Sequence, residues 1–149
     1  MSVTVRPLGP ADRDGWQALY AGYQAFYGFH DRPQGLYDSA FARLMAGDPR
    51  DFHGLVAEAD GALVGLTHFV FHPNLWRPEG VCYLQDLFTA EGARGRGVAR
   101  ALIEAVYARA DAAGVPAVYW LTAEDNYPGR MLYDRVAVRS PFIRYNRPT

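Results

Sequence analysis

The chain has 149 residues, of which half are hydrophobic and 21% are charged. This composition is typical of a globular protein and excludes a disordered chain. The 15 basic and 16 acidic side chains leave a formal net charge of −1, which argues against a nucleic-acid partner, because phosphate contacts need an excess of positive charge. At roughly 100–200 residues per domain, the length predicts one domain that spans residues 1–149.

The cysteine content and the N-terminal sequence indicate where the protein resides. Cys82 has no second cysteine with which to form an intrachain disulfide, which suits a reducing compartment, and it is interpreted as buried filler of a strand. The first residues lack the apolar core of a signal peptide, and no apolar run approaches the roughly 18 residues needed to cross a bilayer. The sequence therefore predicts a cytoplasmic protein with no membrane partner.

In chain order, the first elements are a strand and two helices. Residues 3–7 alternate between apolar and polar side chains, as a short strand does. From Ala11, apolar side chains recur at helical spacing, with Asp12 as the expected N-terminal cap and Gly28 at the end. The same spacing predicts a second helix over residues 37–45.

A meander of strands follows these helices. Two apolar runs, residues 54–57 and 63–71, are joined at the Asp-Gly dipeptide of residues 60–61, which is typical of a tight hairpin. Residues 72–80 contain two prolines and are predicted to form a loop. A further strand is predicted over residues 81–89.

The last part of the chain alternates helices and strands. A glycine-rich turn over residues 91–97 leads into an alanine-rich helix over residues 98–110. A buried strand over residues 117–121, a helix over 129–136 and a strand over 142–145 complete the pattern. This order of elements predicts one mixed α/β layer structure.

The glycine-rich turn carries the first chemical signal. Glycines let the backbone approach a ligand closely, and a helix start offers unpaired N–H groups to an anion. Three arginines without an acid among them suit a phosphorylated ligand, in the run Arg94-Gly95-Arg96-Gly97-Val98-Ala99-Arg100. Val98-Ala99 replaces the Lys-Ser/Thr of a nucleotide-binding P-loop, and Arg100 replaces the third glycine of a dinucleotide fingerprint. Solvated arginines at a helix start are the alternative.

Three segments together resemble the GNAT superfamily of acyl-CoA N-acyltransferases. They are the strand Tyr83-Leu84-Gln85-Asp86-Leu87-Phe88-Thr89, the turn with Arg94, Gly97 and Ala99, and the later residues Asn126, Leu132 and Tyr133. The strand is most similar to that of the small-amine acetyltransferases of the spermidine/spermine, diamine type. The resemblance implies a single α/β domain whose central, mostly antiparallel sheet is splayed in the middle and flanked by about four helices.

The resemblance also implies acetyl-CoA as the co-substrate, with its pantetheine arm inserted where two central strands part. By the match, backbone groups of Leu87, Phe88 and Thr89 would hold this arm, and the Asn126 side chain would contact the cofactor. Core packing of Leu87 and Phe88 and a turn role of Asn126 are the alternatives. The pyrophosphate would lie on the backbone N–H groups of Arg94, Gly95, Arg96, Gly97, Val98, Ala99 and Arg100.

The proton transfers would fall to Tyr133 and Asp86. Tyr133 occupies the place of a tyrosine beside the cofactor sulfur, which would protonate the leaving thiolate; core packing is the alternative. Gln85 departs from the family, since acidic relatives use this position as a base and glutamine cannot ionise. Asp86 is the candidate base or amine-steering charge, but a regular strand points it away from Gln85 unless a bulge intervenes. A structural carboxylate is the alternative for Asp86, and Glu124 and Asp125 are weaker candidates.

By the resemblance, the first helix and the loop after it wall the acceptor pocket. Gln85, Tyr27 and Trp76 are predicted to bind the acceptor, whereas Phe26 is interpreted as core packing. The few acids in this region favour a small or partly apolar primary amine over a highly charged one. His68 is interpreted as a plain strand residue, and no metal is expected, because four histidines and one cysteine form no zinc pattern.

The predicted function is acetyl transfer from acetyl-CoA directly to a primary amine of a small molecule, such as a polyamine, a diamine or an amino acid. No covalent enzyme intermediate is expected, because no activated nucleophile is visible. Two alternatives stay open. One is acetylation of a protein lysine or N-terminus, and the other is a non-catalytic acyl-CoA-binding module, which the missing acid at Gln85 favours. The resemblance implies a homodimer.

Overall fold

A computed structural model describes residues 2–149, within which four α-helices surround a five-stranded sheet. The elements are β1 (Thr4–Pro7), α1 (Arg13–Phe26), α2 (Gln34–Ala46), β2 (His53–Ala59), β3 (Ala62–Asn74), β4 (Arg77–Thr89), α3 (Val98–Ala112), β5 (Val118–Tyr119) and α4 (Tyr127–Val136). The strands lie in sequence order, with β1 to β4 antiparallel and β5 parallel to β4. The predicted α/β fold with a mostly antiparallel sheet is confirmed. None of these helices is long and apolar enough to cross a bilayer.

The turn between β2 and β3 confirms the predicted hairpin. Asp60 and Gly61 both have positive φ angles, 52° and 77°. This is the backbone of a type I′ turn, whose twist matches the twist of the two strands it joins. The turn sets the register of the residues next to it, and a one-residue shift between Ala57 and Glu58 then pairs Val56 with Leu66, both fully buried.

Helices cover the sheet on both faces. On one face, α3 buries Leu102, Ile103 and Val106 against the sheet. On the other face, α1 and α2 enclose the fully buried Trp16. Burial of each large apolar side chain contributes roughly 1.5–3 kcal/mol, so the two apolar layers hold the strands in place.

Gly65 in β3 lets α3 approach the sheet closely. A Cβ at this position would lie 2.8 Å from Val98 Cγ1 and 3.0 Å from the carbonyl oxygen of Phe88. We therefore expect Gly65→Ala to lower the free energy of unfolding by about 1–3 kcal/mol, because helix and strand must move apart. Urea denaturation measures this change. Gly35→Ala is the control, since no atom lies within 4 Å of its Cβ position, and equal midpoints for the two variants would contradict the packing argument.

The loop predicted over residues 72–80 is wrong, because this segment belongs to a long hairpin. β3 continues to Asn74 and β4 begins at Arg77, so only Leu75 and Trp76 form the turn. Proline lacks a backbone N–H and fits a strand only where that side needs no partner. Both prolines of the segment are exposed, near the end of the two-stranded ribbon.

Two predicted strands near the C-terminus also need correction. The strand over residues 117–121 shrinks to Val118–Tyr119, and residues 142–145 form no strand. A strand requires partners for its backbone groups, and within residues 2–149 no strand pairs with this last segment. Phe142 and Ile143 are 83% and 77% exposed.

Asp12 does not cap α1 with its side chain. Its carboxylate instead accepts a hydrogen bond from the Gly9 N–H at 2.7 Å and pairs with Arg6 at 2.8 Å. The carboxylate therefore ties β1 to the turn before α1.

Candidate active site

The sheet opens between β4 and β5. The two strands pair only at Cys82 with Val118 and at Tyr83 with Tyr119, and the Cys82 N–H donates to the Ala117 carbonyl at 2.8 Å. Beyond Tyr83, β4 has no strand partner on this side among residues 2–149. The two strands thus part as predicted, but β5 is the edge strand of the sheet described for residues 2–149, so the opening lies beside its last strand and not in its middle. A cleft of about 790 Å³ lies beside the parted strands.

A β-bulge at Gln85 shapes the floor of this cleft. Against β3, Leu84 pairs with Phe69 and Asp86 pairs with His68, so Gln85 is one extra residue in β4. The bulge turns Asp86 to the same cleft as Gln85, which a regular strand would prevent.

The bulge also reverses which backbone groups of β4 face the opening. Before the bulge, the Cys82 N–H points to β5; after it, the Ala90 N–H donates to the Val64 carbonyl on the β3 side at 2.8 Å. Alternation along an antiparallel ladder then directs the N–H groups of Leu87 and Thr89 to the open side. The N–H of Phe88 belongs to the ladder with β3, so we remove it from the predicted donors.

The glycine-rich turn presents an open backbone surface at the start of α3. Gly95 and Gly97 have φ angles of 76° and 79°, and no atom lies within 4 Å of a Cβ built on either. The first hydrogen bond of the helix joins the Ala101 N–H to the Gly97 carbonyl at 3.0 Å. The N–H groups of Val98, Ala99 and Arg100 therefore stay outside the helical ladder.

Two arginine side chains of this turn have partners inside the protein. Arg94 Nε donates to the Thr89 carbonyl at 3.3 Å, and its guanidinium lies 5.7 Å from the centre of the Phe88 ring. Arg100 pairs with the exposed Glu104 at 2.9 Å. These contacts occupy the two side chains, so the predicted anion site of the turn would be formed by its backbone.

Asp86 sits at the inner end of the cleft and is 5% exposed. Its Oδ2 lies 2.8 Å from His68 Nδ1 and accepts a hydrogen bond from Gln85 Nε2 at 3.2 Å. His68 Nε2 in turn accepts from the Trp16 indole N–H at 2.9 Å. The interpretation of His68 as a plain strand residue missed this contact. The available signal was the alternation along β3, which places His68 on the same buried face as Leu66.

Three tyrosines lie near the carboxylate, two of them in α1 and Tyr27 directly after it. Burial raises the pKa of Tyr20, Tyr23 and Tyr27 above the usual tyrosine value, and the negative charge of Asp86 raises each pKa further. Their hydroxyls therefore remain neutral donors near the carboxylate at physiological pH.

Tyr133 reaches the same cleft from α4. Its ring packs on Trp120 with ring centres 5.5 Å apart. Burial raises the pKa of Tyr133, as does the nearby Tyr27. The Tyr133 hydroxyl is therefore protonated at neutral pH and can donate a hydrogen bond into the cleft.

The cleft brings together Gln85, Asp86, Tyr27 and Tyr133 but leaves out Trp76. Trp76 is 92% exposed at the tip of the β3–β4 hairpin, because the predicted loop is a ribbon that extends past the sheet. Its predicted role at the acceptor is therefore withdrawn.

Four other candidates are placed by local packing. Asn126 caps α4, where its side chain accepts from the Gly129 N–H at 3.3 Å and donates to Thr122 at 2.9 Å; its contact with a cofactor stays a prediction. Glu124 lines the cleft and Asp125 does not. The core-packing interpretation of Phe26 is wrong, since this ring is 57% exposed.

Within residues 2–149, no three His, Cys, Asp or Glu side chains are grouped so that they could hold a metal ion. The chemistry available in the cleft consists of one buried carboxylate, several neutral hydroxyls and unpaired strand amides. This set can move protons and bind an oxyanion.

Comparisons with known proteins identify the family and the fold. The sequence profile of the acetyltransferase (GNAT) family matches residues 16–137. A D-amino-acid N-acetyltransferase of Saccharomyces cerevisiae is 35% identical over 146 residues, which cover 97% of this chain and 90% of that protein. An aminoglycoside acetyltransferase from an uncultured soil metagenomic sample is 27% identical, with a TM-score of 0.80 over 100% of this chain and 99% of its own. The aminoglycoside enzyme AAC(6')-Iy, solved with a bisubstrate analogue, shares the fold at 18% identity, with a TM-score of 0.85 over 100% and 99% of the two chains.

Proposed function

Because the chain belongs to the acetyltransferase (GNAT) family and is an acetyl-CoA-dependent N-acetyltransferase, we propose that it acetylates the primary amine of a small molecule, in the first place an amino acid. The observation that carries this proposal is the placement of Asp86 and Tyr133 on one cleft beside the open edge of β4. One group can take a proton from the amine and the other can give a proton to the leaving thiolate.

The cofactor would lie along the open edge of β4 and across the start of α3. The N–H groups of Leu87 and Thr89 would hold the pantetheine arm, and one of them would polarise the thioester carbonyl. The pyrophosphate would take the open surface above Gly95 and Gly97, where the positive end of the α3 dipole favours an anion.

This placement predicts that Gly97→Ala weakens acetyl-CoA binding by about tenfold, because a methyl group would occupy the space of the pyrophosphate and strain the backbone. Calorimetry with acetyl-CoA measures the affinity. Gly114→Ala is the matched control, since Gly114 also has a positive φ, 73°, with open space around its Cβ position, but follows the other end of α3. Equal losses in the two variants would contradict the proposed site.

The acceptor must lose a proton before it attacks. For a lysine-like ammonium with a pKa of about 10.4, this costs about 4.6 kcal/mol at pH 7. The Asp86 carboxylate would take this proton, after which the nitrogen lone pair attacks the thioester carbon. As the carbon–sulfur bond breaks, the new amide nitrogen releases its second proton to solvent. The coenzyme thiolate takes a proton from the Tyr133 hydroxyl, which solvent replaces.

The charges on the cleft wall favour an amino acid over a polyamine. Arg130, Arg139 and Arg144 line the cleft together with Glu124 and Asp134. A polyamine carries only positive charge and brings no partner for the three arginines, whereas an amino acid also brings a carboxylate that an arginine can bind. The arginines of the cleft wall and the yeast relative's activity on D-amino acids both support this choice.

A thiol-release assay tests the proposal across five kinds of acceptor. They are L-amino acids, D-amino acids, the matching amino-acid amides, diamines and lysine peptides. We expect either the L- or the D-amino acids, or both, to be acetylated at least about tenfold faster than their amides, because the amides lack the carboxylate. Faster reaction with peptides would favour protein acetylation, and faster reaction with diamines would overturn the amino-acid assignment.

Cys82 should not disturb this assay. Burial raises the pKa of its thiol to about 11, and the side chain is fully buried. We expect the native protein to react with a disulfide reagent far more slowly than free CoA does at about pH 8, since the thiolate is the reactive form. In denaturant, the reagent should find one thiol per chain. Rapid labelling of the native protein would contradict the burial of Cys82.

We further propose a homodimer in the cytoplasm. The family resemblance supports the dimer, and the single cysteine supports the reducing compartment. Light scattering of the purified protein measures the oligomeric state, and fractionation of cells that express the chain measures its location.

A further inference from the structure

A buried hydrogen-bond chain runs from α1 through β3 to the cleft. The Trp16 indole N–H donates to His68 Nε2 at 2.9 Å, and His68 Nδ1 lies 2.8 Å from Asp86 Oδ2. Trp16, His68 and Asp86 are 0%, 4% and 5% exposed. Proton transfer from the acceptor needs only the carboxylate, so the indole and the imidazole are polar groups in the core that still require a role.

The hydrogen bonds of this chain have a fixed direction. An indole N–H can only donate, so His68 Nε2 must be the unprotonated acceptor. The neutral imidazole then carries its hydrogen on Nδ1 and donates it to the carboxylate. If His68 Nε2 also carried a hydrogen, two donors, this N–H and the Trp16 indole N–H, would face each other without an acceptor. Both hydrogens of the chain therefore point toward Asp86.

We propose that Trp16 and His68 are positioning residues that hold Asp86 as an oriented carboxylate for the acceptor amine. This inference rests on the proposed role of Asp86 as the base. His68 and Gln85 both donate to Oδ2, and the Tyr20 and Tyr23 hydroxyls also hydrogen-bond to the carboxylate, so these neighbours fix its orientation. Because Trp16 cannot accept a proton, the proton cannot pass on into the core and leaves Asp86 by way of the cleft.

Aromatic groups from α1 fix the imidazole in this orientation. The Tyr20 ring meets the His68 ring edge to face, with ring centres 4.9 Å apart. The Trp16 ring packs on the other aromatic side chains of the same layer, with the Phe41 ring centre at 5.2 Å. The groups that face Asp86 are thus the imidazole of β3, the amide of Gln85 in β4 and the tyrosine hydroxyls of α1.

Nitrogen-15 spectra of labelled protein test the tautomer without any activity measurement. In the wild-type protein, we expect His68 to carry its hydrogen on Nδ1 alone. Trp16→Phe keeps an aromatic ring and removes the donor, so we expect a mixture of tautomers. An Nε2-protonated His68 in the wild-type protein would overturn the inference.

Two substitutions of His68 separate positioning from packing. In His68→Asn, the side-chain amide can still donate to Asp86 from nearly the place of Nδ1, whereas His68→Leu fills the core but donates nothing. We expect the asparagine variant to keep kcat within about threefold and the leucine variant to lose roughly ten- to hundredfold, at unchanged KM for acetyl-CoA. A purely structural role predicts the opposite order, since leucine suits an apolar core better.

The same pair of substitutions at His53, a half-buried histidine of β2 that stacks on Phe69, is the control and should leave kcat unchanged. Equal kcat values for His68→Asn and His68→Leu would overturn the inference. If His68→Leu does not fold, Trp16→Phe decides instead, with an expected loss in kcat of roughly three- to tenfold. A fully active Asp86→Asn variant would contradict the proposed base, whereas the tautomer spectra would still report on the hydrogen-bond chain.

Discussion

Replacing Asp86 by asparagine is expected to lower kcat by roughly 10²–10⁴, because the amide cannot take a proton from the acceptor ammonium. The asparagine has the same shape, and its oxygen can still accept the hydrogen bond from His68 Nδ1, so the fold and the affinity for acetyl-CoA should persist. Steady-state thiol release measures the loss. Circular dichroism and calorimetry with acetyl-CoA supply the structural controls.

The pH dependence of this variant adds a sharper criterion. Below the pKa of the acceptor amine, the neutral fraction of the amine rises about tenfold per pH unit. A variant without the base depends on that fraction, so its kcat/KM should rise with this slope and approach the wild-type value in alkaline solution. A uniformly low kcat/KM at every pH would argue that Asp86 supports the structure instead of accepting the proton.

The second large effect is expected for Tyr133→Phe, with kcat lowered by about 10²–10⁴ and acetyl-CoA affinity almost unchanged. The phenylalanine ring can keep the contact with Trp120, so only the hydroxyl is lost. The loss should shrink with a thioester whose thiol is more acidic, because such a leaving group needs less protonation. Tyr127→Phe is the matched control, since Tyr127 lies on the same helix, is 67% exposed and does not line the cleft.

The raised pKa of Tyr133 sets the pH range of this role. A tyrosine with an ordinary pKa loses its proton near pH 10, and a raised pKa moves that loss to higher pH. The wild-type kcat should therefore show no loss from Tyr133 ionisation below about pH 10. Unchanged turnover in Tyr133→Phe would remove this residue from the mechanism.

Elements that are determined by residues close together in the chain could be predicted from the sequence. The Asp-Gly turn of the β2–β3 hairpin and the glycine turn before α3 both require backbone angles that glycine accepts and most residues avoid. The helices were visible for the same reason, since their spacing of apolar side chains is local. Local sequence placed the glycine turn at the start of α3, whereas the parting of β4 and β5 followed only from the family resemblance.

Features that depend on distant pairing could not be predicted. The bulge at Gln85 is defined by the pairing of β4 with β3. From the sequence alone, we could predict only that a bulge would be needed to turn Asp86 to the same side as Gln85. His68 contacts Asp86 from the adjacent strand, and Trp16 contacts His68 from a helix 52 residues away in the chain. The strand predicted over residues 142–145 is wrong for a related reason. An apolar pattern in the sequence does not show whether another strand is available to pair with the segment.

The bulge in β4 restricts how this segment can change in evolution. Every position after Gln85 owes its orientation to that one additional residue, so substitution along Leu87 to Thr89 alters single side chains only. An insertion or deletion nearby would instead move every following side chain of β4 to the opposite face of the sheet. It would also turn the Asp86 carboxylate away from His68. During evolution, the residue types in this segment can therefore change, but the number of residues must stay the same.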